Sequence, residues 1–174
     1  MPMTRTAKIL ALLALVLGAP LMAADSSRAQ QPASFGEWGL ACQALGPSET
    51  RCALFQRAVR ENNALVMEAQ VLGLEDGGEP ALAVTTPLSV WLPAGVTITI
   101  DGGTPKRQEF QTCAARGCIA RLEEPGVLEL LDAGNEMEVS YATGPDPAQS
   151  VTLTLSLIGV GEGVAAIQDA AKKN

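Results

Sequence analysis

Residues 106–123 read KRQEFQTCAARGCIARLE. Arg116-Gly117 is a turn signal, and the residues on either side of it suit two antiparallel strands. Cys113 and Cys118 flank that turn. Such a pair has three uses: a metal knuckle, a dithiol redox centre or a disulfide staple. The C-x4-C spacing lacks the tight knuckle of thiolate zinc sites. It also lacks the C-x-x-C arrangement at a helix N-terminus that produces a reactive thiolate. The staple is the favoured reading. It makes the stretch a β-hairpin tied at its turn and points the whole chain toward an all-β fold.

The same logic extends outward. FGEWGLAC (35–42) places Trp38, Leu40 and Cys42 on one face of a strand. RCALFQRAV (51–59) alternates Cys52, Leu54 and Gln56 against Ala53, Phe55 and Arg57. ALVMEAQVLGL (64–74) alternates around Leu65, Met67, Ala69 and Val71, before an acidic, Gly-rich turn at Glu75 to Pro80. ALAVTTPLSVWLPAG (81–95) is interrupted at Pro87, which predicts an edge strand, a bend or two half-strands. VTITID (96–101) is β-branched and alternating, and Asp101-Gly102-Gly103 ends it as a hairpin-type turn. EVSYA (138–142) and SVTLTLSLIGV (150–160) complete the strands. Two segments read as helix. One is short, near 124–133, with Val127, Leu130 and Leu131 at i, i+3 and i+4. The other is a short C-terminal helix carrying Val164 and Ile167. Many short strands at regular spacing with little helix predict a β-sandwich, with a closed barrel as the rival.

The N-terminus is set aside before fold reasoning. Arg5 and Lys8 precede an apolar run from Ile9 to Leu17, followed by Gly18, Pro20 and small residues. That is the layout of a secretory signal peptide, too short to span a bilayer. Residues 1–29 are read as the leader, with cleavage after Ala29 or after Ala24. Residues 30–34 then form a flexible segment, 35–168 a single domain and 169–174 a tail. Export implies a periplasmic, outer-membrane-associated or secreted protein with no transmembrane segment after cleavage.

The chain has Lys+Arg 12 and Asp+Glu 19, a formal net charge of −7, and the leader carries Arg5 and Lys8. An acidic domain without a basic cluster in its sequence repels phosphate backbones, which argues against nucleic acid and anionic membranes as partners. There is no histidine, so Ser-His-Asp and Cys-His catalysis are excluded. The commonest metal ligand is missing too. Neither Asp101-Gly102-Gly103 nor Gly159…Gly161…Gly163 has the strand-to-helix context of a phosphate loop. Glu123 and Glu124 are accounted for by a helix N-terminus. No catalytic residue, metal or cofactor is implied, and the chain is read as a non-enzyme. A periplasmic enzyme using carboxylates would need two convergent, desolvated acids.

Four cysteines in an exported chain predict two disulfides. Three connectivities are open. The local pairs Cys42–Cys52 and Cys113–Cys118 are favoured because each flanks a turn signal. One surface candidate remains. The apolar run Leu88-Ser89-Val90-Trp91-Leu92-Pro93 is either a buried sandwich strand or an apolar edge for a partner strand. Ser89, Val90 and Trp91 are the residues of that candidate partner-binding edge, which would suit an assembly factor or chaperone.

Several stretches together resemble one family. FGEWGLAC is followed by a second Cys. LPAGVTITIDGG leads to FQTC and then GCIARL. The segment GVLELLDAGNEMEV precedes a terminal LTLSLIGVGEGVAAI. From Phe35 to Ile167 the chain is similar to the invasion-associated locus B (IalB) family of alphaproteobacterial exported proteins. The resemblance implies an immunoglobulin-like β-sandwich in the periplasm or at the outer membrane, with the four cysteines as disulfides. It implies a link to host-cell entry in pathogens. It brings no catalytic residues, and the binding partner it leaves open is a protein or another envelope component. The Ala-, Gly- and Leu-rich composition suits a free-living relative equally well.

Overall fold

Each apolar alternation closes into a strand because its inward side chains find a second layer to pack on. The computed structural model describes residues 33–44, 46, 50–72 and 80–171. The expected leader and its cleavage site, residues 30–32 of the expected flexible segment, the acidic turn at 75–79, and Pro47 and Ser48 lie outside the described residues, as do 172–174 of the expected tail.

The described residues form eleven strands: β1 (Ser34–Phe35), β2 (Trp38–Ala44), β3 (Thr50–Val59), β4 (Leu65–Leu72), β5 (Ala81–Thr86), β6 (Val96–Ile100), β7 (Lys106–Gln108), β8 (Phe110–Ala114), β9 (Gly117–Leu122), β10 (Glu136–Ala142) and β11 (Ser150–Ser156). Helix α1 (Val127–Ala133) links β9 to β10, and α2 (Val160–Ala171) follows β11. One sheet has seven strands in the order β1-β2-β3-β4-β5-β9-β8, the other four in the order β11-β10-β6-β7. Every pairing is antiparallel. Both sheets are open, so the fold is an all-β sandwich and not a barrel.

The core lies between the sheets. Leu54, Met67, Val71, Leu82, Val84 and Leu122 come from the large sheet, and Ile98, Met137, Val139 and Leu155 from the small one. Val127 and Leu131 of α1, with Val160 and Ile167 of α2, extend the same core. Each such side chain contributes roughly 1.5–3 kcal/mol by leaving water. Two polar ties cross between the layers. The Trp38 indole N–H on β2 donates to the Ser156 carbonyl on β11 at 2.7 Å. The Tyr141 hydroxyl on β10 donates to the Val66 carbonyl on β4 at 2.9 Å, and burial raises its pKa above the ordinary phenol value against an opposing pull from Arg60.

The structure departs from local expectation in two places. KRQEFQTC is not one strand: β7 pairs with β6 in the small sheet, and β8 pairs with β9 in the large one. Glu109 alone separates them, so the chain turns a corner of the sandwich there. Helix α1 starts at Val127 rather than near 124, because Gly126 just before it has the left-handed φ of 80°. Glu123 and Glu124 therefore precede the helix, and their partners are Arg121 at 3.5 Å and Lys106 at 2.8 Å. Ser34 is already in β1 opposite Gly39, and the expected C-terminal helix is α2, ending at Ala171 among the described residues.

The glycines of the last helix have a packing role. A Cβ on Gly163 would lie 2.5 Å from Leu54 Cδ2, and one on Gly161 would lie 1.8 Å from Asp132 Oδ1. A bare backbone at Gly163 lets α2 sit this close to the wholly buried Leu54 of β3, while Gly161 leaves room for the Asp132 side chain of α1.

Asp101 illustrates a turn that also ties elements together. Its φ of 46° and the 66° of Gly102 are the positive pair of a type I′ turn. Its carboxylate accepts the Glu136 N–H at 2.9 Å and the Asn135 N–H at 3.0 Å, joining the β6 end to the β10 start. Those bonds, the Glu136 one foremost, hold its pKa below the ordinary carboxylate value. A depressed folded pKa contributes stability above the unfolded pKa, and that stability is lost as pH falls through the folded value. The Tm gap between the protein and Asp101→Ala should therefore be full at neutral pH and shrink below about pH 4. A gap that persists unchanged to about pH 2 would contradict this.

Candidate functional site

Three surface features have the makings of a site, and the first is the connection from β5 to β6. Pro87 lacks an N–H and ends β5. Ser89, Val90 and Trp91 lie in no strand, and Leu92 to Ala94 form a single 3-10 turn. The candidate edge is thus not a strand edge, and strand addition has no ladder to extend there. Val90 packs on the core and anchors the segment. The Trp91 N–H donates to the Ala142 carbonyl at 2.7 Å. Arg107 clamps the turn from below, its guanidinium donating to the carbonyls of Pro93 at 2.7 Å and Ala94 at 2.8 Å.

Held this way, the segment presents side chains to solvent. Leu88 is 58 % exposed, Trp91 43 % and Leu92 52 %. They are three of the five large apolar residues exposed among the described residues. Beside Leu92 and Pro93 lies a depression of about 520 Å³ bordered by Arg107, Phe110 and Cys113. Exposed apolar side chains along one segment, with Leu92 bordering a concavity, on a backbone held by hydrogen bonds, are a surface able to take a partner.

The second feature is the cysteines. Cys42 on β2 is bonded to Cys52 directly opposite on β3, with an S–S distance of 2.12 Å. Cys113 on β8 is bonded to Cys118 directly opposite on β9, with 2.05 Å. Edge strand β8 is mostly exposed, with only Phe110 among its residues packed on the core. The covalent link therefore anchors a strand that hydrophobic burial holds weakly. Among the described residues no three His, Cys, Asp or Glu side chains converge as a metal-ligand set.

The third feature was only partly legible in the sequence. On the outer face of the large sheet a depression of about 570 Å³ is lined by Arg51, Arg57, Arg116 and Arg121. Glu68, only 3 % exposed, lies among them and is the one buried acid of the described residues. It bonds Arg57 Nε, accepts from Gln70 at 2.8 Å and faces Arg116 at 3.8 Å. The spacing of Arg51, Phe55 and Arg57 on one face of β3 was the local signal. Arg116 and Arg121 join them only through the β4-β5-β9 pairings.

The known proteins agree with this architecture. A solved structure similar to it is that of invasion associated protein b from Bartonella henselae, with 19% identity, a TM-score of 0.69, and coverage of 82% of this chain and 98% of that one. At that identity the likeness is one of fold. No curated protein matches the chain in sequence. The family model described as invasion associated locus B (IalB) protein matches residues 38–168. That span runs from β2 through most of α2 and includes both disulfides, and by it the chain belongs to the invasion associated locus B family.

Proposed function

We propose that this is an exported, non-enzymatic envelope protein that binds a protein or cell-surface partner through the segment around Ser89, Val90 and Trp91. The observation that carries the reading is the exposed trio Leu88, Trp91 and Leu92 on a backbone held by Arg107 and Ala142. Two disulfides support an oxidising compartment, and the N-terminal pattern supports the periplasm or outer membrane as the destination. The non-enzymatic reading is supported by Glu68, which is occupied by two arginines and has no second buried acid beside it among the described residues. The relative's name ties it to invasion. In this chain that role would be one form of partner binding, and an envelope role unrelated to invasion fits the same surface.

The test is a photo-crosslinking residue placed at position 91 and, as a control, at Thr154 on the exposed side of β11. A discrete adduct is expected from position 91 and not from 154. In addition, Trp91→Ser should weaken binding of the adduct partner by about tenfold or more, the scale of an exposed aromatic anchor. Adduct formation from both positions alike, or partner binding indifferent to Trp91→Ser, would sink the reading.

A further inference from the structure

We infer that the outer face of the large sheet is a second binding site, one that takes an extended acidic segment of a partner protein. The register builds the site. Arg57 stands opposite Glu68, and Glu68 opposite Thr85. One row along, Phe55 stands opposite Gln70, Gln70 opposite Ala83 and Ala83 opposite Arg121. The trough thus has Arg57 on its β3 side and Arg121 on its β9 side, with Arg116 at the β8–β9 turn. Ala41, Ala53 and Ala81 line it, and their small side chains leave room. Phe55 lies over Gly39, where a Cβ would be 2.7 Å from Phe55 Cζ, and the Arg57 guanidinium stacks on the ring at 4.7 Å.

The electrostatics point to an anion. The chain has a formal net charge of −7, yet this face gathers four of its arginines. Glu68 draws the like-charged Arg57 and Arg116 together around a single carboxylate. Two guanidiniums bring about ten N–H donors to roughly four acceptor sites on a carboxylate that also accepts from Gln70, so Glu68 leaves most of those donors for another acceptor. Arg121 meets only an exposed Glu123 at 3.5 Å, a pair that solvent screens. Arg57 is held by Glu68 and the Phe55 ring, and the planar guanidinium of each of these arginines is suited to a carboxylate in a bidentate manner.

The dimensions choose the occupant. β3 and β9 are three strand spacings apart, roughly 14 Å. A lone phosphate is too small to touch both sides. An extended peptide repeats its side chains on one face every ~7 Å, so acidic residues at alternate positions match the span. A glycan would want open aromatic faces for stacking, and the Phe55 ring already has Arg57 over it.

The test uses the oxidised, exported protein and a labelled peptide of alternating Glu and Thr, with its Gln counterpart and inorganic tripolyphosphate as comparison ligands. The Glu peptide should bind, weaken as salt rises, and exceed the Gln peptide. The double variant Arg116→Gln/Arg121→Gln removes two exposed charges and should weaken it by about tenfold or more. Arg60→Gln removes a charge outside the trough and should leave binding within about twofold. Equal binding of the Glu and Gln peptides, indifference to the double variant, or binding of tripolyphosphate without the peptide would each overturn the assignment. So would self-association that the double variant abolishes, because the occupant would then be a second copy of the chain. Trp91 lines no part of the trough, so these outcomes are independent of the proposal made for that surface.

Discussion

Trp38→Ala is expected to lower the unfolding free energy by about 3–5 kcal/mol, measured by urea denaturation of the oxidised protein. Trp38 is wholly buried on β2 and belongs to the main core. Its removal leaves a cavity between the layers. It also strips the Ser156 carbonyl of the indole donor at 2.7 Å. The two effects separate in Trp38→Phe, which retains most of the ring volume and loses the bond. That variant should lose about 1–3 kcal/mol, chiefly from the unsatisfied carbonyl. A Trp38→Ala loss below about 1.5 kcal/mol would show that the layers do not depend on this residue, contrary to its burial.

Removing both disulfides is expected to be the other large effect. In the chain-entropy account, Cys113–Cys118, with a sequence separation of 5, contributes about 2 kcal/mol, and Cys42–Cys52, with a separation of 10, about 3 kcal/mol. The quadruple Cys→Ser variant should therefore lose about 5 kcal/mol and about 10–20 °C of Tm. Reduction of the native protein should reproduce that shift. The double variant Cys113→Ser/Cys118→Ser should have a local signature as well. Amides of β8 should exchange faster than those of β5, because β8 keeps only Phe110 on the core. A quadruple variant within about 1 kcal/mol of the native protein would refute the stapling role.

These two predictions separate what is local from what is not. The Cys113–Cys118 hairpin was readable because its turn, its strands and both thiols lie within a few residues. The alternation of β3 and β6 was readable for the same reason. The 81–95 run was half readable: Pro87 marked the interruption, but the run after it suggested a strand where the chain instead takes an irregular path to a 3-10 turn. Its apolar side chains left a buried strand and an exposed edge both open, and only the fold shows Leu88, Trp91 and Leu92 facing outward. KRQEFQTC misled because nothing local records that Glu109 turns a sandwich corner. The partner of β7 is β6, and that of β8 is β9.

The sequence by itself determined the strand periodicity, the turns and the motifs that mark the family, and favoured the local cysteine pairs, since each depends on neighbours a few residues away. Only the tertiary structure decided which strands share a sheet and which side of each sheet faces water. It alone brought Trp38 to Ser156, and Arg57, Glu68, Arg116 and Arg121 to one face. Those arrangements depend on non-local pairing and on the exclusion of water between two layers. The charge pattern along an acidic chain therefore showed only Arg51 and Arg57 on one strand face, and the basic trough they share with Arg116 and Arg121 needs the pairing of β3, β4, β5 and β9.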